Sequence, residues 1–350
     1  MLNLSRRDRK YDMNNSANND TPVITIFAIY QFASAIAIPI FIIGLLLNLF
    51  MLYIFLVDRH FKTTTYTLIG ISVVSDTISV CSMLVGVCFI SDSKLDFIRG
   101  QLFCRLTLII IFASFFVSMM NLCLIGIDRY YSIVKPFSTK YKLRKPYIIG
   151  IAEFFFWLLA IVIHLPLYKY VSVYPQDPLL CDFLVITPSI SSYLITHAVI
   201  SFVIPSIILG VVYGKIVIYQ KSYRRPGNAI DGRQIEKQSR MKRIIKVLIS
   251  ISVCYIALSW PFFASTVGMA ITSKSLMDLR QESSALLLLA YFSVIITLSI
   301  TILNPLIYLK FDNNIRKRSL FLLNKMKPRR CRGRSRINPT ESFRNAYRVN

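Results

Sequence analysis

Charged residues are scarce in this chain of 350 residues: they make up 17% of it, while 55% of the residues are hydrophobic. A soluble domain carries about 25% charged residues, so the shortage excludes an ordinary soluble fold and indicates one integral membrane domain. Acidic residues are rarer than basic residues, with 17 Asp and Glu against 41 Lys and Arg. That excess of positive charge suits nucleic acid, an anionic membrane surface or membrane topology, and the positions of the charges decide between them.

Histidine is rarer still, and no internal repeat is visible. The three histidines are His60, His164 and His197, and neither a metal-ligand spacing nor a Ser/His/Asp arrangement accompanies them. We therefore expect no enzyme activity and no catalytic residue. Secondary transporters show repeated halves, which makes a membrane transporter a remote alternative.

Seven stretches of the chain are nearly free of charge and long enough to cross a bilayer, for which a helix needs about 20 apolar residues. Called spans 1 to 7 in chain order, they lie between Asp20 and Asp58, Lys62 and Asp92, Arg105 and Asp128, Lys145 and Lys169, Asp182 and Lys215, Lys246 and Lys274, and Glu282 and Lys310. Since a backbone in lipid must satisfy its own hydrogen bonds, each is predicted to be a helix. The predicted fold is an all-α membrane protein, a seven-transmembrane helix bundle.

The basic residues are distributed unevenly between the two sides of this bundle. Of the 41 lysines and arginines, 31 fall on the side of Arg129, at the end of span 3. By the positive-inside rule that side is cytoplasmic, so the N-terminus is predicted to be extracellular. Glycosylation sequons at Asn3, Asn14 and Asn19 all precede span 1 and agree with this orientation. No apolar core of a cleavable signal peptide is visible before span 1, which is expected to direct insertion into the plasma membrane.

Four segments follow from these patterns. Residues 1–23 are predicted to form an extracellular glycosylated tail and residues 24–310 the seven-transmembrane domain. Residues 311–323 suit a short amphipathic helix in the membrane interface, and residues 324–350 form a basic cytoplasmic tail. Basic clusters beside a membrane usually meet anionic lipids or cytosolic proteins, so membrane lipids are expected partners and nucleic acid is not.

Polar side chains within the spans point to a packed polar interior. A carboxylate at mid-bilayer costs about 3 kcal/mol on insertion scales, so Asp76 in span 2 must face such an interior, pair with a cation or be protonated. We expect it to be a functional site rather than a packing hydrogen bond. Asn48 in span 1 is predicted to face neighbouring helices.

Two of the seven cysteines are distinguished by their predicted location. Cys104 and Cys181 are the pair on the oxidising side, whereas the others fall within spans or in the cytoplasmic tail. A disulfide between Cys104 and Cys181 is therefore the favoured pairing, and it would tether the second outer loop to the top of span 3.

Three motifs stand in a fixed order along the chain. Cys104 lies twenty-five residues before Arg129, Asp128-Arg129-Tyr130 ends span 3, and Asn304-Pro305-Leu-Ile-Tyr308 closes span 7. Each is weak alone, but the set resembles a rhodopsin-like G-protein-coupled receptor from span 1 to the amphipathic helix. The resemblance implies a receptor that binds an extracellular ligand and activates a heterotrimeric G protein through the cytoplasmic ends of spans 3, 5, 6 and 7.

The resemblance assigns two sets of residues. Those expected to couple to the G protein are Asp128, Arg129, Tyr130, Tyr213 and Tyr308. Those expected to form the activation core are Asn48, Asp76, Trp157, Pro205, Tyr255, Trp260, Pro261, Asn304 and Pro305. Arg129, restrained by Asp128 at rest, is expected to meet the G-protein C-terminus when span 6 swings outward. Arrestin and a receptor kinase are further implied partners.

Span 6 departs from the family pattern. The family has tryptophan two residues before the proline of this span, whereas here Ser259 takes that position and Trp260 directly precedes Pro261. An offset of one residue turns a side chain by about 100° around the helix. We expect the rotamer switch to be rebuilt from Tyr255, Trp260 and Phe262.

The resemblance also bears on the resting state. In the family, residues equivalent to Asp76, Ser118 and Asn304 line a polar cavity that can hold an allosteric sodium ion, but here Ile300 replaces a polar residue often found there. Apart from this ion, no cofactor is expected. Many relatives pair the span 3 arginine with an acid at the base of span 6, but here Met241 takes that position and the nearest acid is Glu236. We hypothesise a weak inactive-state lock and basal signalling.

Two further family positions restrict the ligand. Ile111 occupies the place of the aspartate that binds amines, and Leu298 that of the lysine that binds retinal, so neither ligand is expected. The residues expected to face a ligand pocket are Ile111, Phe112, Phe115, His197, Ser201, Phe262, Phe263 and Val294. With scattered charges on the outer loops, a peptide ligand fits best, and a lipid or other apolar small molecule is the alternative.

Overall fold

A computed structural model describes residues 20–91, 96–135, 139–175, 177–222 and 232–326. Over these residues the chain has seven helical segments that are long and apolar enough to cross a membrane, which confirms the predicted fold class. The predicted glycosylation sites Asn3, Asn14 and Asn19 lie outside the described residues, and so does the predicted basic tail from residue 327 onward.

Five spans are single helices within the described residues. These are span 1, Asp20–Val57; span 2, Thr64–Ser91; span 3, Phe97–Ile133; span 4, Thr139–His164; and span 6, Gly232–Thr272. Two spans are interrupted. Span 5 consists of Pro188–Ala198, a π-helical turn Val199–Val203 and Ile204–Ser222, and span 7 consists of Ser284–Leu298 and Ile300–Phe311.

Span 3 is the central helix of the bundle. In its most apolar window 72% of the residues are buried, against 22–44% in the other spans. Phe116, Met119, Leu122 and Ile125 along it are each no more than 2% exposed. Span 3 is therefore the most enclosed of the seven spans in the described part of the chain.

The interruption of span 5 follows from a proline. Pro205 has no backbone N–H and cannot donate to the preceding turn, and a π-helical turn, Val199–Val203, lies directly before it. Such turns occur often at functional sites because they rotate the side chains that follow. The turn lies between His197 and Tyr213, which face opposite ends of the molecule.

Span 1 and span 7 approach each other closely at Gly44. A Cβ atom at this position would lie 2.6 Å from Ile302 Cγ1, so a side chain there would force the helices apart. One turn on, Asn48 Nδ2 donates to the Gly44 carbonyl at 2.9 Å and to the Thr301 carbonyl at 3.0 Å. Asn48 thus faces span 7 from the interior of the bundle.

A short amphipathic helix, Asn313–Met326, follows span 7. Asp312 begins it by accepting hydrogen bonds from the backbone N–H groups of Asn314 (2.8 Å) and Ile315 (3.2 Å). Tyr66 of span 2 donates to the other carboxylate oxygen of Asp312 at 3.0 Å, and Arg318 pairs with Asp58 at 3.0 Å. These contacts hold the helix against the ends of spans 1 and 2.

An antiparallel hairpin, β1 (Ser172–Tyr174) and β2 (Asp177–Asp182), covers the opposite end of the bundle. Ser172 is paired with Asp182, and Tyr174 with Asp177, with an irregularity between them. The predicted Cys104–Cys181 disulfide is present and ties β2 to the first turns of span 3. The hairpin is therefore held over the centre of the bundle.

Candidate functional site

A cavity of about 150 Å³ lies beneath the hairpin, between spans 3, 5, 6 and 7. Four of the eight residues predicted to line a pocket do line it: Phe112, His197, Phe262 and Val294. Their rings are close together, since the centroid of Phe112 lies 5.2 Å from that of Phe262 and 6.0 Å from that of His197. Aromatic rings thus form one part of the wall, and aliphatic side chains form much of the rest.

The other four predicted pocket residues lie outside the cavity wall: Ile111, Phe115, Ser201 and Phe263. Ile111 follows the helix about 100° away from Phe112 and is 5% exposed. Phe115 packs on Tyr255 with ring centroids 5.6 Å apart, and Phe263 stacks on Phe202 at 4.9 Å. These side chains fill the layer behind or below the wall.

Sequence reasoning missed several polar residues of the wall. Asp182, Tyr193, Ser265, Thr266 and Ser293 line the cavity, but they have no pattern in the sequence that separates them from packing residues. Only the position of Asp182 directly after Cys181 could have signalled its role, because the disulfide fixes that residue over span 3.

His164 and His197 form a buried pair beside the cavity. Their Nε2 atoms are 3.1 Å apart, and His164 Nδ1 lies 2.6 Å from the carbonyl oxygen of Ala160. The side chains are 0% and 6% exposed. The pair joins span 4 to span 5 through one hydrogen bond between imidazoles.

Asp182 fastens the hairpin to the loop between spans 6 and 7. One carboxylate oxygen accepts from the N–H groups of Phe183 (2.7 Å) and Leu276 (3.0 Å). The other accepts from the Tyr174 hydroxyl (2.9 Å) and the N–H of Met277 (3.0 Å). Leu276 and Met277 begin the short helix Leu276–Glu282, so the carboxylate satisfies donors that the helix itself leaves unused.

Burial changes the acid-base properties of this group. Desolvation raises the pKa of Asp182, although its hydrogen bonds with Leu276, Met277, Tyr174 and Phe183 act in the opposite direction. Desolvation, together with the Asp182 charge, also raises the pKa of Tyr174 to about 12, so its hydroxyl keeps its proton at neutral pH and remains a donor. The cost of burying the carboxylate is thus offset by contacts that all come from the outer loops.

A polar cluster lies at the centre of the bundle around Asp76. Its carboxylate accepts from the Ser118 hydroxyl at 2.9 Å and from Asn304 Nδ2 at 2.9 Å. Asn304 Nδ2 also lies 3.5 Å from the Tyr255 hydroxyl. The structure therefore brings together residues of spans 2, 3, 6 and 7 that were predicted from the sequence.

These residues do not form an oxygen cage for sodium in this arrangement. Hard cations prefer several oxygen ligands, whereas both Asp76 oxygens accept hydrogen bonds from Ser118 and from the nitrogen of Asn304. The nitrogen of Asn304 is not an oxygen ligand, so sodium binding stays a prediction and enters no step of the proposed mechanism.

The two tryptophans differ in location. Trp157 of span 4 packs beside the buried residues Ala113, Phe116 and Ala160. Trp260 of span 6 is 57% exposed on the outer surface of the helix bundle. Trp260 was expected to take part in a rebuilt rotamer switch, but its side chain faces outward. Tyr255, 1% exposed and 5.6 Å from Phe115 by ring centroids, occupies the core of span 6.

The end of span 3 away from the hairpin carries the other predicted site. Arg129 Nη2 lies 3.3 Å from Asp128 Oδ2, and Arg129 Nε is buried without a hydrogen-bond partner among the described residues. Tyr213 of span 5 and Tyr308 of span 7 are buried in one hydrophobic cluster, and the partly buried Tyr130 packs against that cluster. The Tyr213 hydroxyl also has no hydrogen-bond partner within the described ranges.

Comparison with known families gives a match that covers most of the bundle. The model of the family described as 7 transmembrane receptor (rhodopsin family) matches residues 47–308. This range includes the cavity, the Asp76 cluster and both motifs at the Arg129 end of the bundle.

Similar proteins come from several sources. The chain is 26% identical over 296 residues to the G-protein coupled receptor homolog K2 of Swinepox virus (strain Kasza), which covers 81% of this chain and 75% of that protein. It is 24% identical over 314 residues to a QRFP-like peptide receptor of Branchiostoma floridae, with 86% and 78% covered. It is 27% identical over 211 residues to an alpha-1A adrenergic receptor of Oryzias latipes, with 58% and 42% covered.

Proposed function

The chain belongs to the rhodopsin family of seven-transmembrane receptors, and from this premise we propose that it binds an extracellular peptide and activates a heterotrimeric G protein. In this proposal the hairpin and the cavity face the cell exterior, with the glycosylated N-terminus. Arg129 and the C-terminal helix face the cytoplasm. The uneven distribution of lysine and arginine supports the orientation.

The observation that carries the coupling proposal is the state of Arg129. A guanidinium has five N–H donors, yet Arg129 has one described partner, the adjacent Asp128 at 3.3 Å, and its Nε is buried without one. Unused donors at the end of a central helix are suited to the backbone carbonyls of an inserted peptide segment. We propose that the G-protein C-terminus supplies them when span 6 moves outward, and that arrestin and a receptor kinase meet the same surface.

A peptide ligand is favoured by the size of the cavity and by the outer charges. A volume of about 150 Å³ holds roughly ten water-sized groups, which suits a side chain rather than a whole peptide. The charged pair Arg99–Asp96 lies at the start of span 3, and Lys274–Glu282 lies between spans 6 and 7, where the rest of a peptide would make contact. The likeness to a peptide receptor over 86% of the chain also supports a peptide.

Other ligands have less support. The similarity to an adrenergic receptor covers 58% of the chain, and Ile111 provides no carboxylate for an amine. An apolar small molecule or a lipid is the second candidate, because the wall is mainly aromatic and aliphatic.

Nucleotide exchange on a co-expressed G protein tests the proposal. Cells that express the receptor with promiscuous G proteins would be screened with peptide and lipid libraries, and agonist-free exchange would be compared with mock-transfected cells. A stimulating peptide is the expected result. Absence of exchange under every ligand and without ligand would contradict a receptor of this kind.

Arg129→Ala gives the mechanistic arm of this experiment. The variant is expected to lose exchange while it keeps its surface expression, because the donors at the end of span 3 are removed. Lys135→Ala is the matched control, since Lys135 is an exposed base six residues further along the chain. Exchange retained in Arg129→Ala would remove Arg129 from the coupling role.

A further inference from the structure

We propose that the cavity selects an aromatic group that donates a hydrogen bond and rejects an anionic group, because the polar side chains of its wall offer acceptors. This inference rests on the ligand-binding role proposed above and names the chemistry of the group that enters. The argument begins with the protonation of the His164–His197 pair.

The tautomer of His164 follows from its neighbours. A carbonyl oxygen can only accept, so the 2.6 Å contact between His164 Nδ1 and the Ala160 oxygen places the ring proton on Nδ1. A second proton would create a cation at a side chain that is 0% exposed, and His164 has no ion pair in the described part of the chain. Burying such a charge is costly. His164 is therefore neutral, and its Nε2 keeps a lone pair.

The tautomer of His197 then follows from that of His164. Because His164 Nε2 can only accept, the 3.1 Å contact between the two Nε2 atoms places a proton on His197 Nε2. The neutral His197 ring is left with a lone pair on Nδ1. That atom makes no hydrogen bond within the described ranges, and the His197 ring lines the cavity. His197 thus presents an acceptor to a ligand.

The hydroxyl groups of the wall also offer hydrogen-bond acceptors rather than donors. Ser265, Thr266 and Ser293 donate to the carbonyls of Pro261 (2.8 Å), Phe262 (2.9 Å) and Ala290 (2.6 Å) in their own helices. Tyr193 donates to the Ile163 carbonyl at 3.1 Å. Each oxygen keeps a lone pair toward its surroundings, and each proton is already used.

Asp182 completes the wall with a negative charge whose oxygens already accept four hydrogen bonds. A carboxylate or phosphate on a ligand would meet lone pairs and this charge, with no free side-chain donor among the described lining residues to compensate. An unpaired anion in such a site is strongly disfavoured. A neutral donor meets acceptors instead.

The shape of the cavity favours a flat ring as the donor. Aromatic rings contribute much of the wall, at Phe112, Phe183, Tyr193, His197 and Phe262. An indole is a donor without an acceptor and has the size of the cavity, which makes it the best match. A tryptophan side chain of a peptide and a free aromatic molecule share this chemistry.

Matched ring compounds test the inference on the purified full-length receptor in nanodiscs, without a G protein. Indole and benzothiophene have nearly the same shape, but benzothiophene has no N–H. We expect indole to bind about 3- to 10-fold more tightly, the value of one hydrogen bond. Indole-3-carboxylate should bind more weakly than indole. Equal affinity for indole and benzothiophene, or tighter binding of the carboxylate, would overturn the inference.

N-acetyltryptophanamide distinguishes the two sources of the ring. It carries the same indole on a peptide unit, so binding tighter than indole would indicate a peptide side chain, and binding weaker than indole a free molecule. The indole preference over benzothiophene is expected in either case. If the receptor prefers indole but no nucleotide exchange is observed in the experiment described above, only the signalling proposal is contradicted.

His164→Phe tests whether His164 sets the tautomer of His197 or serves only as a packing residue. The variant keeps His197 but frees its ring to hold a proton on either nitrogen. Indole must then select the tautomer with an unprotonated Nδ1, so its preference over benzothiophene should fall about twofold. An unchanged preference would contradict the assigned hydrogen-bond chain. The chain has three histidines, which makes nitrogen NMR of labelled wild-type receptor practical if the variant does not fold. A protonated Nδ1 on His197 would overturn the inference directly.

Discussion

The two ends of span 3 differ in how firmly they are attached. At the outer end, the Cys104–Cys181 disulfide is reinforced by Arg105 Nε, which donates to the Val171 carbonyl at 2.9 Å, and by Gln101, which donates to Ser172 at 2.8 Å. At the inner end, Arg129 has one described partner at 3.3 Å. The outer end is built to keep one arrangement, whereas the inner end can exchange partners at low cost.

Removal of the disulfide tests the firmly attached end of span 3 and should have the largest effect on stability. Cys104→Ala opens a loop that spans 77 residues, and the expected loss of stability is about 2–5 kcal/mol. Surface expression should fall, and the unfolding midpoint of the purified receptor should decrease. Cys181→Ala should match it, because either change breaks the same bond.

A free cysteine provides the control for this change. Cys81→Ala alters an exposed thiol in span 2 and should leave the unfolding midpoint within a degree or so of the wild type. If Cys104→Ala were no less stable than Cys81→Ala, the outer end would not owe its stability to the disulfide.

Asp182→Ala tests the hydrogen bonds that hold the hairpin in place next to the disulfide. It leaves the N–H groups of Leu276 and Met277 and the Tyr174 hydroxyl without their acceptor, at an expected cost of about 1–3 kcal/mol. Asp96→Ala is the control. The Asp96 side chain is 57% exposed, so its ion pair with Arg99 should contribute less than about 1 kcal/mol to the free energy of unfolding. Equal thermal shifts in both variants would contradict the role of Asp182.

Tyr255→Phe tests the connection between the two ends. The hydroxyl lies 3.5 Å from Asn304 Nδ2 and links span 6 to the Asp76 cluster in this arrangement. Its loss should cost the resting state about 0.5–1.5 kcal/mol and raise agonist-free nucleotide exchange about 2- to 10-fold. Tyr53→Phe removes a hydroxyl from a tyrosine that is 50% exposed and should leave exchange unchanged. Lower exchange in Tyr255→Phe would show that the bond supports the active state instead.

The sequence predicted the spans and the disulfide because both depend on local or compartmental patterns. Runs without charge identify helices, and only Cys104 and Cys181 were expected on the oxidising side. The sequence could not predict the four hydrogen bonds of Asp182, because its partners come from different loops. It also could not separate Ile111 from Phe112, since both are apolar neighbours and only packing decides which of them faces the cavity.

Trp260 is the residue for which sequence reasoning and structure differ most, and its substitution should have the smallest effect. An offset of one residue turns it about 100° from the family position, and the structure places 57% of its side chain outside the bundle. Trp260→Phe should therefore change stability by less than about 0.5 kcal/mol and leave basal exchange unaltered. Trp157→Phe, in a packed cluster of span 4, should lower the unfolding midpoint further. A change in exchange as large as that of Tyr255→Phe would return Trp260 to the activation core.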